Sequence, residues 1–232
     1  MVPGCALDKY FELYPEKDVF LPEVKEGDLD DVPPRGHAGI RKQWHKWLVE
    51  NDEWRGAVRG YLASVSYSDA QLGRLLDALD ASPHAKNTIV VLWSDHGMHI
   101  GEKQQWEKFT LFEESTRVPF IIVAPGVTKP GIKCDRPVNL LDLYPTLNEL
   151  CHLPKRDDLD GVSLVPLLRD SSAKWERPAI TTWGKGNHAA RGQRNRYIRH
   201  PNGAEQLYDH QTDSDEFTNL ADKPELGPVK KR

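Results

Sequence analysis

The sequence has few cysteines, no long apolar run and no recognisable leader, and only the first two absences argue against a class of protein. Three cysteines among 232 residues (Cys5, Cys134 and Cys151) form no metal-binding pattern, and an odd number does not define a disulfide framework. No segment approaches the roughly 18–20 apolar residues of a membrane-spanning helix, so we expect no membrane span. The first residues, MVPGCALDKY, lack a basic stretch followed by an apolar run. No signal peptide is therefore recognisable, and the location and redox compartment stay open.

A pronounced charge imbalance is also absent. Lys and Arg number 31 against 35 Asp and Glu, which gives a net charge of −4. The basic residues are dispersed apart from the terminal Lys230, Lys231 and Arg232, so we expect no nucleic-acid partner. With 38% hydrophobic and 28% charged residues, the composition is typical of a globular chain long enough to bury a core.

The first 175 residues alternate between helical and strand-like patterns after an irregular start. Residues 1–43 are interrupted by prolines, and the run EGDLDD at 26–31 is typical of a solvated acidic loop. Apolar residues at three- and four-residue spacing predict an amphipathic helix from Trp44 to Leu79 and another over Asn139–Leu150. Between them, Thr88–Trp93 and Pro119–Ala124 are short continuous apolar runs, as in strands buried on both faces of a parallel sheet. This order predicts an α/β layered domain.

Residues 176–232 have a different character, which predicts a small antiparallel subdomain. Ala179–Thr182, Arg196–Arg199 and Glu205–Tyr208 are short strand-like segments separated by turn-forming residues. Pro201-Asn202-Gly203 lies between the last two, and an Asn-Gly pair in that position is a strong hairpin signal. We therefore predict one domain over 1–175 and a subdomain over 176–232 that ends in a closing helix or tail.

The stretch SDHGMHIGEKQQWEK at 94–108 contains the residues best suited to chemistry. Asp95 and His96 follow the first apolar strand, and ligand sites in open α/β sheets gather at the carboxyl ends of strands. A carboxylate is a hard ligand suited to Ca²⁺ or Mg²⁺, His96 can complete such a site, and Gly97 permits a sharp turn. The same residues suit an ordinary turn capped by Asp95, so the pattern favours a cation site and a simple turn about equally.

Four neighbouring residues are open to two interpretations each. Lys108 is either a solvated surface charge or part of the site, and His99 either lines the pocket or faces solvent. Trp93 and Trp106 are better explained as core packing than as ligand contacts. Periodicity alone does not separate these alternatives.

Several segments resemble the sulfatase family, and they occur in the family's order. SDHGMHIGEKQQWEKFTLFEESTRVPFIIVAPG is similar to the branch that contains iduronate-2-sulfatase and its bacterial relatives. YLASVSYSDAQLGRLLDAL, CDRPVNLLDLYPTLNEL and EQLYDHQTDSDEFTNLA resemble the family's long helix, a later helix and the C-terminal closing motif. The resemblance implies part of an alkaline-phosphatase-like α/β/α sandwich with a small C-terminal antiparallel α+β subdomain. It also implies a sulfuric ester hydrolase that acts on sulfated carbohydrates.

The resemblance assigns roles to the residues of the central motif. Asp95 and His96 become ligands of one calcium ion, and Lys108 becomes a contact to the sulfate oxygens. An Asp-His pair at this place is what the iduronate-2-sulfatase branch shows, whereas many sulfatases have Asn in the second position. The family's nucleophile is a formylglycine in the N-terminal half.

Substrate contacts follow less directly from the resemblance. The C-terminal subdomain of relatives leans over the pocket, so Trp183, Lys185 and His188 are candidate substrate contacts, as is His99. Ordinary loop and strand positions explain the same residues. The expected partner is a sulfated small molecule or glycan, and full-length relatives are usually exported, periplasmic or lysosomal.

The family's nucleophile motif is missing from this sequence. Sulfatases modify a Cys or Ser in Cys/Ser-x-Pro/Ala-x-Arg, whereas the three cysteines here begin CALDK, CDRPV and CHLPK. The family's N-terminal metal-binding Asp-Asp pair is absent too, because Asp30-Asp31 lies in the loop before the long helix. We therefore expect a fragment or truncated reading frame that corresponds to the last half of a family member, and that is inactive and poorly soluble alone.

Two alternatives to a sulfatase fragment remain from the sequence. The first is a phosphohydrolase of the same superfamily, although the GEKQQWEK loop does not resemble the metal-binding loops of phosphatases. The second is a degenerate, non-catalytic sulfatase piece that serves as a binding module. Weak calcium binding without turnover would favour the second alternative.

Overall fold

The computed structural model of the protein describes residues 6–231, so Cys5 and Arg232 lie outside the described residues. The α-helices are α1 Asp8–Phe11, α2 Lys42–Glu50, α3 Trp54–Asp80, α4 Glu113–Thr116, α5 Leu143–Leu150 and α6 Val165–Arg169. The strands are β1 Val90–Trp93, β2 His99–Ile100, β3 Trp106–Glu107, β4 Phe120–Val123, β5 Ala179–Thr182, β6 His188–Arg191, β7 Asn195–Arg199 and β8 Glu205–Asp209. Short 3-10 helices cover Glu16–Asp18, Pro34–His37, Glu102–Gln104, Leu140–Asp142, Pro224–Leu226 and Val229–Lys231.

The described chain forms two compact units. The first contains the residues up to Leu29, His37–Asn87 and His96–Arg117, and the second contains Asp30–Gly36, Thr88–Asp95 and the chain from Val118 onward. The first unit is mainly helical and includes the short β2–β3 pair, and the second includes the β1–β4 pair and a four-stranded sheet. The division predicted between residues 175 and 176 stays a prediction.

The long helix predicted from Trp44 to Leu79 is two helices in the structure. α2 ends at Glu50 and α3 begins at Trp54. Asp52 lies between them with a φ of 55°, a left-handed conformation that interrupts a right-handed helix. The apolar periodicity continues across this break, which is why the sequence pattern predicts one helix.

Only part of the apolar face of α3 is covered by the described residues. Val58 is 1% exposed and packs in the core of the first unit with Leu48 and Trp106, which confirms the packing role of Trp106. Val65 and Leu75 belong to the same apolar pattern, yet they are 48% and 67% exposed. The helix prediction is therefore correct in type and wrong in how much of the face is buried.

The predicted acidic loop at 26–31 is not solvated throughout. Asp28 and Leu29 are buried. The Asp28 carboxylate lies 2.8 Å from the ammonium of Lys103, which is also buried. The Lys103 ammonium offsets the desolvation of the Asp28 carboxylate. Because the two residues are 75 positions apart, the composition of the acidic run does not reveal this ion pair.

β1 and β4 form an antiparallel pair in the second unit. Val90 is paired with Val123, and Trp93 is paired with Phe120. The predicted parallel arrangement with both faces buried is wrong for these strands, and Trp93 is 49% exposed instead of packed in a core. A continuous apolar run indicates burial, but it contains no information on the direction of the neighbouring strand.

The exposed apolar side chains of β4 have a consequence for solubility. Ile121 and Val123 lie on one face of the strand and are 52% and 51% exposed. Exposed apolar strand residues promote association between chains. We expect the double change Ile121→Thr/Val123→Thr to reduce light scattering at a given concentration while changing the free energy of unfolding by less than about 0.5 kcal/mol. Ile122→Thr, on the more buried face, is the control and should lower stability without improving solubility. Equal scattering by wild type and double variant would contradict this expectation.

The predicted antiparallel C-terminal sheet is confirmed as a meander of β5, β6, β7 and β8. β5 coincides with the predicted strand, and β7 and β8 are each one residue longer. Pro201-Asn202-Gly203 is the turn between β7 and β8, where Gly203 has a φ of 84°. The sequence pattern misses β6 because its residues, HAAR, include none of the strand-favouring Val, Ile, Thr, Phe, Tyr or Trp.

The helix predicted over Asn139–Leu150 is confirmed by the 3-10 turn Leu140–Asp142 and by α5, which continues it. Asn139 and Asp142 form a capping box, in which each side chain accepts a hydrogen bond from the other residue's backbone N–H.

Across residues 6–231, no helix combines the length and apolar character that a membrane crossing requires.

Candidate functional site

The candidate site begins at the two consecutive residues Asp95 and His96. Asp95 is exposed and belongs to the second unit, whereas His96 is partly buried and belongs to the first. The chain bends at these two residues, and Gly97 permits close packing against α4, since a Cβ atom there would lie 1.9 Å from the Glu114 carbonyl oxygen. The Gly97 N–H donates to the Ser115 carbonyl oxygen at 2.9 Å, which fastens the segment to α4.

The structure brings His96 and Lys108 together. Lys108 Nζ lies 2.7 Å from His96 Nε2, and His96 Nδ1 lies 2.6 Å from the Gly97 carbonyl oxygen. A carbonyl oxygen only accepts and an ammonium only donates, so Nδ1 carries the hydrogen and Nε2 accepts. In this arrangement the imidazole is neutral, with the lone pair of Nε2 directed at a cation.

The geometry of His96 suits a metal ligand. Metal-binding histidines usually donate their second ring nitrogen to a carbonyl or carboxylate oxygen, as Nδ1 does here to Gly97. Nε2 then offers its lone pair, and Asp95 offers the carboxylate oxygens that calcium prefers. A carboxylate and an imidazole are both donor types that suit a divalent cation, and in this structure His96 Nε2 accepts a hydrogen bond from the Lys108 ammonium.

A buried glutamine fixes the backbone at Lys108. Gln105 is 0% exposed, and its Nε2 donates to the Lys108 carbonyl oxygen at 2.8 Å. Its Oε1 accepts from the Arg41 backbone N–H at 2.6 Å. Both ends of the amide are thus engaged, and one side chain joins two segments that are 64 residues apart.

The loop that carries Lys108 has an unusual backbone. Non-glycine residues with φ between 54° and 77° are concentrated in it: Lys103, Gln104, Glu107 and Phe109. Such conformations cost on the order of 1 kcal/mol each and cluster at functional sites. The buried Lys103–Asp28 ion pair and the Gln105 hydrogen bonds hold this loop in its strained form.

His99 lies inside the first unit and is 0% exposed. Its Nε2 lies 2.8 Å from Thr110 Oγ1, which donates to Ser115 Oγ, and its Nδ1 lies 3.2 Å from the Glu102 carbonyl oxygen. Because the side chain is buried and both ring nitrogens are engaged, the solvent-facing alternative is wrong, and the role of His99 as a substrate contact stays a prediction.

The remaining candidates lie on the β5–β6 hairpin of the second unit. The Trp183 N–H donates to the Asn187 carbonyl oxygen at 3.1 Å and closes the hairpin loop. Lys185 and His188 are exposed, and His188 Nδ1 lies 2.8 Å from Thr182 Oγ1 on the facing strand. These basic side chains are available to an anionic ligand, and their role as substrate contacts stays a prediction.

A chain of buried hydrogen bonds supports this hairpin. Asn187 Oδ1 accepts from His200 Nδ1 at 2.9 Å, and His200 Nε2 accepts from Gln206 Nε2 at 2.9 Å. Tyr208 donates its hydroxyl hydrogen to Gln206 Oε1 at 2.7 Å. This series of hydrogen bonds requires a neutral His200. Burial together with the charge of Arg35 lowers the pKa of His200 below its usual value.

The lowered pKa of His200 makes stability depend on pH. An unfolded histidine titrates near pH 6.5, so its contribution to stability is fully present above about pH 6.5. It is lost as the pH falls from there toward the lower pKa of the folded state, by at most about 1.4 kcal/mol per pH unit. We expect urea unfolding of His200→Gln to show a flatter pH dependence than wild type between pH 6.5 and 5. The exposed His152→Gln is the control, and identical slopes for wild type and His200→Gln would contradict the assignment.

Sequence reasoning misses Gln105 and the Lys103–Asp28 pair. Gln105 stands in the polar run GEKQQWEK, where neither spacing nor composition separates a buried amide from an exposed one. The partners of the ion pair are 75 residues apart, and no local pattern connects them. The nearest available signal is Trp106, an expected core residue directly after Gln105.

Comparisons with known proteins identify the family to which this chain belongs. The profile of the Sulfatase family matches residues 9–153, and that of the N-sulphoglucosamine sulphohydrolase C-terminal family matches residues 101–232. A sulfatase of Formosa agariphila is 40% identical over an alignment of 223 residues, and the match covers 95% of this chain and 44% of the relative.

Two solved structures illustrate the similarity in fold. A putative sulfatase from Bacteroides fragilis has a TM-score of 0.72 at 25% identity, over 97% of this chain and 48% of that one. A protein solved in complex with its substrate D-glucosamine-2-N,6-O-disulfate has a TM-score of 0.66 at 27% identity, over 77% of this chain and 39% of that one. This chain thus spans less than half the length of each of these relatives.

The fold is therefore the alkaline-phosphatase-like α/β fold, as expected from the sequence. Within that class, the chain belongs to the sulfatase family of hydrolases.

Proposed function

We propose that this chain supplies the cation- and sulfate-binding residues of a sulfuric ester hydrolase that acts on sulfated carbohydrates, in the manner of iduronate-2-sulfatase. The observation that carries the proposal is the Lys108 ammonium held 2.7 Å from the neutral His96 imidazole, on a loop fixed by buried contacts. Membership of the sulfatase family and the glucosamine disulfate of one structural relative support a sulfated sugar as substrate.

Lys108 is the proposed contact to the sulfate oxygens. Negative charge shifts onto the leaving oxygen as a sulfate ester is cleaved, and a nearby cation stabilises that charge. Gln105 contributes by holding the Lys108 backbone. The role of Lys108 is therefore binding and electrostatic stabilisation.

Asp95 and His96 are the proposed holders of a calcium ion. When bound, calcium supplies Lewis-acid polarisation of the sulfate group. The Gly97 carbonyl oxygen engages Nδ1, so Nε2 would be the ligand atom, and the Lys108 ammonium that it contacts in this structure would move to the sulfate. Asp95 adds oxygen donors, and the family resemblance names calcium as the ion.

The nucleophile is proposed to come from outside this sequence. No Cys/Ser-x-Pro/Ala-x-Arg motif occurs among the 232 residues. A chain with a sulfate contact and cation ligands but without a nucleophile binds sulfate without cleaving its esters. We therefore propose that the chain alone is inactive.

Binding and turnover of the purified chain test these proposals. In the presence of calcium, we expect an NMR titration with inorganic sulfate to show binding that Lys108→Ala weakens by about tenfold, the size of one charge-assisted hydrogen bond. The exposed Lys86→Ala should leave it unchanged. Hydrolysis of p-nitrophenyl sulfate should be no faster for wild type than for Lys108→Ala.

Each result has a distinct meaning. Equal sulfate affinity in wild type and Lys108→Ala would contradict the sulfate contact. Hydrolysis by the wild-type chain above the Lys108→Ala rate would contradict the need for an external nucleophile. Tighter Lys108-dependent binding of inorganic phosphate than of sulfate would favour the phosphohydrolase alternative.

A further inference from the structure

A second cationic residue, Arg41, is held by the same buried glutamine as Lys108. Gln105 accepts a hydrogen bond from the Arg41 backbone N–H and donates one to the Lys108 carbonyl oxygen. Because Gln105 is fully buried and both of its polar atoms are engaged, it fixes the two backbone positions relative to each other. Arg41 and Lys108 are thus held as a pair although they are far apart in sequence.

The side chains of the pair meet at one aromatic ring. The Arg41 guanidinium carbon lies 5.5 Å from the centroid of the Phe109 ring, and Lys108 Nζ lies 5.7 Å from the same centroid. The two charges are therefore no farther apart than the sum of these distances, which a single sugar ring with its substituents can bridge. Phe109 is 40% exposed, so this ring is accessible to a ligand.

The Arg41 guanidinium retains donors for a ligand. Its Nη1 donates to Glu107 at 3.2 Å, and the side chain is 42% exposed. Within the part of the chain that the structure describes, Nε and Nη2 have no hydrogen-bond partner. Glu107 thus orients the guanidinium, while the remaining edge presents the planar donor fork that matches a sulfate or carboxylate group.

We propose that Arg41 is a specificity-determining residue that binds a second anionic group of the substrate, while Lys108 binds the sulfate to be cleaved. The inference rests on the proposed function of Lys108. It names the substrate class as a sulfated sugar that carries a second sulfate or a carboxylate within one ring of the first. Two cations beside one ring repel each other, and a ligand with two anionic groups offsets both charges.

The test compares two sugars that differ by one charged group. D-Glucosamine-2-N,6-O-disulfate and N-acetylglucosamine 6-O-sulfate, in which a neutral acetamide replaces the N-sulfate, are titrated into the full chain by NMR, with calcium present and ionic strength held constant. We expect the disulfate to bind about three- to fivefold more tightly than the monosulfate, the size of one solvent-exposed ion pair. Arg41→Ala should abolish that preference without changing the monosulfate affinity, and Arg41→Lys should retain part of it.

Control variants separate the two levels of the proposal. Lys42→Ala removes the adjacent exposed cation and should leave the preference intact, and Lys108→Ala should weaken both sugars. The inference is overturned if Arg41→Ala keeps the wild-type preference or weakens both sugars equally. Monosulfate binding that depends on Lys108 would then leave the proposed function standing. Absence of any Lys108-dependent binding would overturn the proposed function and this inference together.

Discussion

Replacing Lys103 by methionine is expected to lower the free energy of unfolding by about 3–5 kcal/mol, the typical effect of removing one partner from a buried ion pair. Lys103 and Asp28 are each 2% exposed, and their charged groups lie 2.8 Å apart. Without the ammonium, the buried Asp28 carboxylate loses the ion pair that offsets its desolvation. The change also removes an anchor of the strained loop that carries Lys108.

Urea unfolding of Lys103→Met and of two companion variants measures this effect. In Lys46→Met the lost partner is Glu50, in an exposed ion pair, so we expect a change below about 1 kcal/mol. The double variant Lys103→Met/Asp28→Leu leaves no isolated charge and should recover part of the lost stability. A loss below about 1 kcal/mol in Lys103→Met would show that the pair is not buried in solution.

Gly97→Ala is expected to destabilise the first unit by about 3 kcal/mol, at the upper end of the range for overpacking. The added Cβ atom would lie 1.9 Å from the Glu114 carbonyl oxygen and 2.7 Å from that of Arg117. Both atoms belong to the backbone, so no side-chain rotation relieves the clash. The turn at Gly97 must then open, and the carbonyl that holds His96 Nδ1 moves with it.

The matched control for this prediction is Gly73→Ala in α3. No atom lies within 4 Å of a Cβ placed there, and alanine in a helix is more stable than glycine by about 1 kcal/mol. Thermal unfolding should therefore shift down for Gly97→Ala and up for Gly73→Ala. A neutral Gly97→Ala would show that the turn after His96 is looser than the structure describes.

Local patterns in the sequence predict the elements better than their partners. The Asn202-Gly203 turn and the strands beside it are correct because turn chemistry and strand propensity act over a few residues. The direction of β1 relative to β4 was not predicted correctly. A continuous apolar run has the same composition whether the neighbouring strand is parallel or antiparallel, so it does not indicate the direction. The break at Asp52 escapes the periodicity for a related reason, because the apolar pattern continues on both sides.

The candidate site is predictable only in part. From the residues alone, Asp95 and His96 favour a cation site and a simple turn about equally. The sulfate-binding role of Lys108 follows only from the family resemblance. The structure then places Lys108 Nζ on His96 Nε2. The roles of Gln105 and Arg41 are not predictable from the sequence, because their contact joins segments 64 residues apart and no spacing rule connects them.

The proposed role of Lys108 in a sulfate ester hydrolase can be measured in a chimeric enzyme that contains a nucleophile. In the chimera, this chain replaces the matching 44% of the Formosa agariphila sulfatase, whose remaining part supplies the rest of the protein. We predict hydrolysis of p-nitrophenyl sulfate in preference to p-nitrophenyl phosphate, with kcat lower by about 10²–10³ in the Lys108→Ala chimera, as for loss of one charge-stabilising group. A folded chimera that is inactive, that prefers the phosphate ester, or that is equally active without Lys108 would contradict the account.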